Sequence, residues 1–483
     1  MKTPAILSLF VLGGTIIQAQ ETKPNILYIM TDQQSFKMLS AVGNKYLKTP
    51  AMDKIAKNGY SFSKAYCVNP VSVPSRFALL TGHYGSEVSV RNNNDIPDKE
   101  KLKAILDESA LGKIFRKGGY ETLYGGKTHL PMAYLKGDMT ERMNTNYGFS
   151  YYCQDDGMLL ATETAQILKV RKKTDKPMFL FVSLMNPHDI NFFWKESILS
   201  KPQKPANMSE REWSCSTALQ QRFNNLPTSK YKKQIPAFPS NFEPVNDVPF
   251  MDAYLKFTDK ERLSYYSWCY HRLTEIVDKE INVIMSALEK SGIADNTIIV
   301  FTSDHGDMNG SHQLIMKSRF YEESARIPFI FAGPGIKKGI VDNETLTSNG
   351  MDLIPTLCDL AGIVKPDHLT GVSLKPVLTG SAKKLQRDYL FVESRLGFMI
   401  LDGRYKFALY DGIGNNELLT DTKADPQEKH NYAKDVQYVT TKNMLKKELL
   451  FWMNDRNLKI DPTLTQPPKD KKNGKANTQN NDE

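Results

Sequence analysis

Five short apolar runs punctuate the chain: NILYIM (25–30), ETLYGG (121–126), MFLFVSLM (178–185), TIIVFTS (297–303) and IPFIFAG (327–333). Continuous apolar runs of this length fit strands buried on both faces, as in a parallel sheet. Helical patterns fall between them. The fold class predicted is α/β: a large central mixed, mostly parallel sheet flanked by helices. The clearest helix spans about 259–291, with Thr258 and Glu261 in a capping-box pattern and Gly292 as its stop. Its stripe of Cys269, Leu273, Ile276, Val277, Ile281, Ile284 and Leu288 reads as core.

The texture changes from about Arg387. The segment YLFVESRLGFMILDGRYKFALY alternates short strands with turns at Gly397 and Asp402-Gly403, and the helical TKNMLKKELLFWMNDR follows. A smaller C-terminal α+β subdomain, an antiparallel sheet plus helix, is therefore expected over 385–462, after a catalytic domain at 22–380. Between Asp189 and Thr258 lies a proline-, lysine- and aromatic-rich stretch with no clear period, and loops that long inside a domain are usually functional or mobile. Residues 463–483 are polar and expected to be disordered. The start, MKTPAILSLFVLGGTIIQAQ, has Lys2, an apolar run to Ile17 and Ala19 at a plausible cleavage point. That predicts a signal peptide at 1–19 and a periplasmic or secreted protein, with no membrane span because the run is too short.

Charge changes this picture little. Lys plus Arg number 63 against 54 Asp plus Glu, a net +9 spread along 483 residues and partly placed in the tail. No nucleic-acid motif accompanies it, so no nucleic-acid partner is expected, whereas an anionic substrate suits a basic surface. The five cysteines (Cys67, Cys153, Cys215, Cys269, Cys358) show no CxxC pair. A zinc ribbon is excluded, export leaves room for one or two disulfides with at least one thiol unpaired, and a buried thiol is the reading for Cys67.

In open α/β sheets the site forms beyond the carboxyl ends of the strands. There the sequence places Asp32 and Gln33 after the first run, Lys127 and His129 after the second, His188 after the third, and Asp304 and His305 after the fourth. Singly each has an ordinary reading, as a helix cap or a solvated loop residue. Gathered at one edge, the acids and Gln33 suggest a site for a hard cation, with His305 a softer ligand or a neighbour. Lys317 is a candidate anion clamp, while His312 is left to cap or pack. In NPVSVPSRFALLTG (69–82), Pro74 is expected at the first helical position, Ser72 at the helix mouth where anions are favoured, and Arg76 one turn in. No G-x-S-x-G elbow surrounds Ser72. The residues point to an anion-handling nucleophile beside a divalent metal, with a phosphate or sulfate ester as substrate.

Ser72-Val-Pro74-Ser-Arg76 followed by LLTG resembles the signature of the type I, formylglycine-dependent sulfatases of the alkaline-phosphatase superfamily. GGKTHL, NPH, TSDHGDMNGSH, KSRFYEESARIPFIFAGPG, DLIPTLCDLAGI and ADPQEKHNYAKD follow in the family's order, so the resemblance spans nearly the whole mature chain. It implies that Ser72 is oxidised to formylglycine by a radical maturase. It implies catalytic roles for Ser72, Arg76, Lys127, His129, His188 and Lys317, with His188 as acid and His129 as base. The implied metal set is Asp32, Gln33, Ser72, Asp304 and His305, holding Ca2+, with Mg2+ or another divalent ion as the alternative. Gln33 and His305 depart from the family's commoner Asp-Asp and Asp-Asn pairs. A sulfated saccharide is the implied substrate, with Phe192, Phe193 and Trp194 candidates for stacking on a sugar. The rivals are a phosphate- or phosphonate-ester hydrolase of the same superfamily and a non-catalytic binder of sulfated glycans with unmodified Ser72.

Overall fold

The structure, a computed structural model, describes residues 23–461 except 133–134, 244–259, 413–415 and most of 195–233. The expected signal peptide, the polar tail, Cys215, Thr258, the side chains of Phe193 and Trp194 and most of the long loop lie outside the described residues.

The described residues form two sheets. The larger has eight strands: β1 (Asn25–Asp32), β2 (Gly59–Tyr66), β3 (Glu121–Gly126), β4 (Ser150–Cys153), β5 (Met178–Pro187), β6 (Thr297–Ser303), β7 (Phe329–Ala332) and β8 (Ile340–Ser348). Their order is β4-β3-β5-β1-β6-β7-β2-β8, and only β7 runs antiparallel to its neighbours. β1 sits at the centre, with Ile26 opposite Phe179 on one side and Ile298 on the other. All five apolar runs are strands. β2, β4 and β8 escaped notice because β4 is four residues at an edge and β8, IVDNETLTS, is a half-exposed polar edge strand.

Alternation along the central strands sends residues to two different cores. Ile26, Tyr28 and Met30 join Phe179, Phe181, Ile298 and Val300 on one face, beneath the helices Ser72–Thr81 and Asn349–Leu360. Leu27 and Ile29 join Leu180 and Val182 on the other, beneath the helices Met158–Val170 and Lys260–Lys290. The long helix buries the stripe expected of it. Its second half, Val277 to Leu288, packs on the sheet, and its first half, Leu263 to Leu273, forms a further cluster with Ile190 and Ile315.

The smaller sheet comprises β9 (Leu390–Ser394), β10 (Gly397–Leu401), β11 (Tyr405–Tyr410) and β12 (Glu417–Asp421), antiparallel throughout, with the helix Val439–Asp455 packed against it. Charged groups fasten it to the larger unit. Lys406 lies between Glu322 (3.0 Å) and Glu428 (2.7 Å), and Glu428 Oε2 accepts the Glu322 N–H at 2.7 Å. Arg91 reaches Asp411 and the carbonyls of Ser394 and Gly397 while lying over the Phe398 ring. β9 also touches the loop that leads to Ser72, through Glu393 N–H to Val68 O at 2.8 Å.

Cys67, Cys153, Cys269 and Cys358 are all buried, and no disulfide joins any two of these four. One expectation is corrected. The helix of the SVPSR motif begins at Ser72 rather than Pro74. Pro74 is its third residue, still within the first turn, where a missing N–H leaves no bond unmade. Among the described residues no helix is long and apolar enough to cross a membrane.

The seam between the two sheets holds a buried acid. Glu393 accepts the Ser86 N–H at 3.0 Å, has no partner on Oε2, and burial pushes its carboxyl up to about 7 from an ordinary 4.5. The folded state therefore keeps a proton that the unfolded chain loses, and stability falls as pH rises from about 4.5 to 7, by about 3 kcal/mol at most. Glu393→Gln retains the acceptor without the ionisation. Its melting temperature should exceed that of the wild type by a few degrees at pH 8, with the gap closing towards pH 5. A gap that ignores pH would refute this account of Glu393.

Candidate active site

The parallel strands β1, β3, β5 and β6 end at one edge of the sheet, and the helix Ser72–Thr81 begins there. Ser72 is fully buried at the helix N-terminus, where unpaired N–H groups favour negative charge. Its Oγ lies 3.0 Å from His305 Nε2 and accepts from Lys317 Nζ at 3.2 Å. His305 Nδ1 is 3.0 Å from the Gly306 carbonyl, so Nδ1 carries the ring proton and Nε2 presents a lone pair. Burial holds the His305 imidazole at about 4, hence neutral.

Asp32, Asp304 and His305 bring one ligand atom each to within 4.8 Å of one another, all fully buried. Asp32 Oδ1 has no hydrogen-bond partner among the described residues. An orphaned buried carboxylate oxygen is costly unless a cation meets it, so this donor set fits a divalent ion with hard-oxygen preference. Burial raises the Asp32 carboxyl, but Lys127, His188, Arg76 and Lys317 together hold it well below the usual carboxylate range.

Arg76 is bound chiefly to groups of the protein itself. Nε donates to Asp304 Oδ2 (3.0 Å), Nη2 to Asp32 Oδ2 (2.6 Å), and Nη1 to Lys127 O (3.0 Å) and Ser183 Oγ (2.8 Å). Four of its five N–H groups thus bind protein, and one on Nη2 remains for a ligand. Its main work is to fix the two carboxylates. Lys127 Nζ also meets Asp32 Oδ2 at 2.8 Å.

Lys317 arrives on a loop with an unusual backbone: Asn309, His312, Gln313, Met316 and Ser318 all have φ between +44 and +76°. Such strain concentrates at functional sites and needs a surrounding structure that enforces it. Enforcement comes from Ser318 N–H to Pro70 O at 2.9 Å and from Ser394 Oγ to Ser318 O at 3.0 Å. Burial lowers the Lys317 ammonium to about 8, against the pull of Asp32. His129 and His188 are half-buried beside it. Desolvation, then the charge of Lys127, pushes both well below the ordinary imidazole value, and each has an Nδ1 without a hydrogen-bond partner. His312 is a packing residue: it stacks on Tyr321 with ring centroids 4.0 Å apart.

Gln33 adjoins the cluster, donating its backbone N–H to Asp304 Oδ1 at 3.0 Å. Its carboxamide, however, engages Asn191 and Asp307. Neither partner was singled out from sequence, nor was Ser183. Ser183 had a signal, being the lone hydroxyl inside an apolar strand. Asp307 had a weaker one, as an acid two residues after His305; Asn191 had none. The charge cluster makes a stability prediction. Arg76→Met leaves two buried carboxylates underpaired, so metal-free protein should lose about 3–5 kcal/mol in urea unfolding. A change within experimental error would show that the carboxylates do not depend on Arg76.

Comparison with known proteins points to one family. The family profile described as Sulfatase matches residues 24–363, and that described as N-sulphoglucosamine sulphohydrolase, C-terminal, matches 310–455. A Delta 4,5-hexuronate-2-O-sulfatase of Bacteroides thetaiotaomicron is 33% identical over 451 residues, 88% of each chain. The solved structure of a 2-O GAG sulfatase superposes with TM-score 0.72 at 28% identity, covering 91% of this chain and 95% of that one. A phosphonate monoester hydrolase of Agrobacterium radiobacter shares the fold, with TM-score 0.66 at 23% identity over 90% and 96% of the two chains. The family match over most of the chain, joined to the buried serine, acids and cations at one strand edge, places this protein in the sulfatase family, as a sulfuric ester hydrolase.

Proposed function

We propose that the protein removes sulfate from saccharides of the glycosaminoglycan type, with a 2-O-sulfated hexuronate as first candidate, using a formylglycine made from Ser72 and a bound Ca2+. The observation that carries the mechanism is the placement of Ser72 Oγ between His305 and Lys317, beside the two carboxylates that await a cation. The similarity to a hexuronate-2-O-sulfatase carries the choice of substrate. Asp32, Asp304 and His305 would hold the ion, together with residue 72 and Gln33. Hard carboxylate oxygens favour Ca2+ over softer metals.

Oxidised by a radical maturase, residue 72 would supply a hydrated aldehyde: one oxygen to attack sulfur and leave with it as sulfate, and a second hydroxyl whose deprotonation would break that carbon–oxygen bond and restore the aldehyde, ready for rehydration by water. The remaining roles fall to this chain's own side chains. Lys127, Lys317 and the free Nη2 hydrogen of Arg76 neutralise the sulfate oxygens, preorganised charge of the kind that dominates many rate enhancements. His188 gives its proton to the departing sugar oxygen, and His129 takes one from the second hydroxyl. Both rings are neutral in the empty site; an arriving anion offsets the lysines and lets His188 hold a proton. Export as a periplasmic or secreted protein, after loss of residues 1–19, would put it where polymer fragments arrive.

Mass spectrometry of the Ser72 peptide from the native host tests the nucleophile. The expected result is a loss of two hydrogens relative to serine, with Ser72→Ala folded but inactive towards 2-O-sulfated hexuronate disaccharides. Unmodified serine in active protein would overturn it. For the acid, His188→Ala should slow sugar sulfates by about 10²–10⁴-fold while sparing aryl sulfates, whose leaving groups need no proton. Equal losses on both would remove His188 from that role.

A further inference from the structure

The carboxamide of Gln33 is held by two groups to which the catalytic scheme gives no part. Nε2 donates to Asp307 Oδ2 at 2.6 Å and to Asn191 Oδ1 at 2.9 Å, while Oε1 accepts from Asn191 Nδ2 at 2.9 Å. Asp307 already accepts from Tyr266 Oη (2.7 Å) and the Asn309 N–H (2.7 Å). Surrounded by donors, it fixes which end of the amide faces it: nitrogen. Both hydrogens of Nε2 are therefore consumed, and Oε1 retains one lone pair. The backbone is pinned as well. Gln33 has φ +66°, its N–H meets Asp304 Oδ1, and Tyr270 Oη donates to its carbonyl at 2.6 Å from the long helix.

We infer that Asn191 and Asp307 are positioning residues for Gln33, orienting its oxygen towards a cation, and that Asn191 thereby couples the cation site to the segment carrying His188. The coupling follows from connectivity. Asn191 lies three residues after His188 in the same short helix, His188–Trp194, and its amide pairs face to face with that of Gln33. A Gln33 oxygen drawn to a cation tightens the same pair that docks the His188 segment, so the ion and the acid's loop stabilise each other. Groups that orient a metal ligand commonly change metal affinity by about 10–100-fold when removed. The inference rests on the cation reading of Asp32, Asp304 and His305.

Calorimetric titration of Ca2+ into metal-stripped full-length protein tests both levels separately. Asp32→Ala should abolish binding; wild-type affinity in that variant would sink the cation reading itself. Asn191→Ala, on a half-buried residue, should weaken Ca2+ by about tenfold without lowering the metal-free melting temperature. In wild type, Ca2+ should also slow amide hydrogen exchange over 186–194, and that protection should vanish in Asn191→Ala. Loss of binding in Asp32→Ala with unchanged affinity and protection in Asn191→Ala would overturn the coupling alone. So would a weakening that merely tracks a loss of metal-free stability.

Discussion

Two carboxylates with no access to water, Asp32 and Asp304, are the constraint around which the catalytic unit is arranged. Ions removed from water are unfavourable unless closely matched, and here Arg76, itself 1% exposed, bonds to both. Its remaining bonds, to Lys127 O and Ser183 Oγ, tie the ends of β3 and β5 to those of β1 and β6. One side chain on the nucleophile helix thus sets the register of four strand ends. Two carboxylates facing Arg76, Lys127 and Lys317 leave one positive charge over, and a divalent ion would add two more. With such an ion in place, the site would favour sulfate-like anions.

The second sheet matters to the chemistry because it keeps a strained loop in place. Lys317 reaches Ser72 from a backbone that five non-glycine residues hold in the left-handed region. Such a conformation relaxes unless neighbours resist. Resistance comes from Ser394 at the end of β9, from Pro70, and more distantly from the Lys406–Glu322–Glu428 lock that seats β11 against the catalytic unit. The motif ADPQEKHN, which has no catalytic group, gains its physical meaning here: Glu428 is the acceptor that caps the Glu322 N–H. The smaller sheet is part of the active-site scaffold, though it supplies none of the proposed catalytic groups.

The legibility of the site follows from how each residue is placed. Asp32, Lys127, His188 and Asp304 stand immediately after apolar strands, and parallel strands deliver such residues to a common edge. Strand periodicity and the edge rule therefore locate them without any three-dimensional knowledge. β8 was missed because edge strands blur the apolar signal, and the start of the Ser72 helix shifted because proline is tolerated throughout a first turn. Asn191 was invisible for another reason. Its role depends on a side-chain amide meeting Gln33, 158 positions away, with nothing local to announce it. The bonds of Arg76 to Asp32 and Asp304 are not legible in sequence, since charge sign alone does not say whether an arginine serves a ligand or its own protein's acids.

The Ser72–His305 contact gives the strongest internal argument for modification of the serine. At 3.0 Å, with Nδ1 committed to Gly306 O, the imidazole Nε2 could accept the Ser72 proton, as in a serine hydrolase. That same lone pair is the one His305 offers to the cation group. It cannot serve both. With a cation bound, Ser72 loses its only close base, because Lys317 donates to it and burial keeps His129 and His188 weakly basic. With no cation, Asp32 Oδ1 is left unpaired in the interior. On the cation reading, a plain serine would therefore lack an activating base at His305. The proposed hydrated aldehyde would fit that reading, because its second hydroxyl gives a route to expel sulfate while His305 remains a ligand.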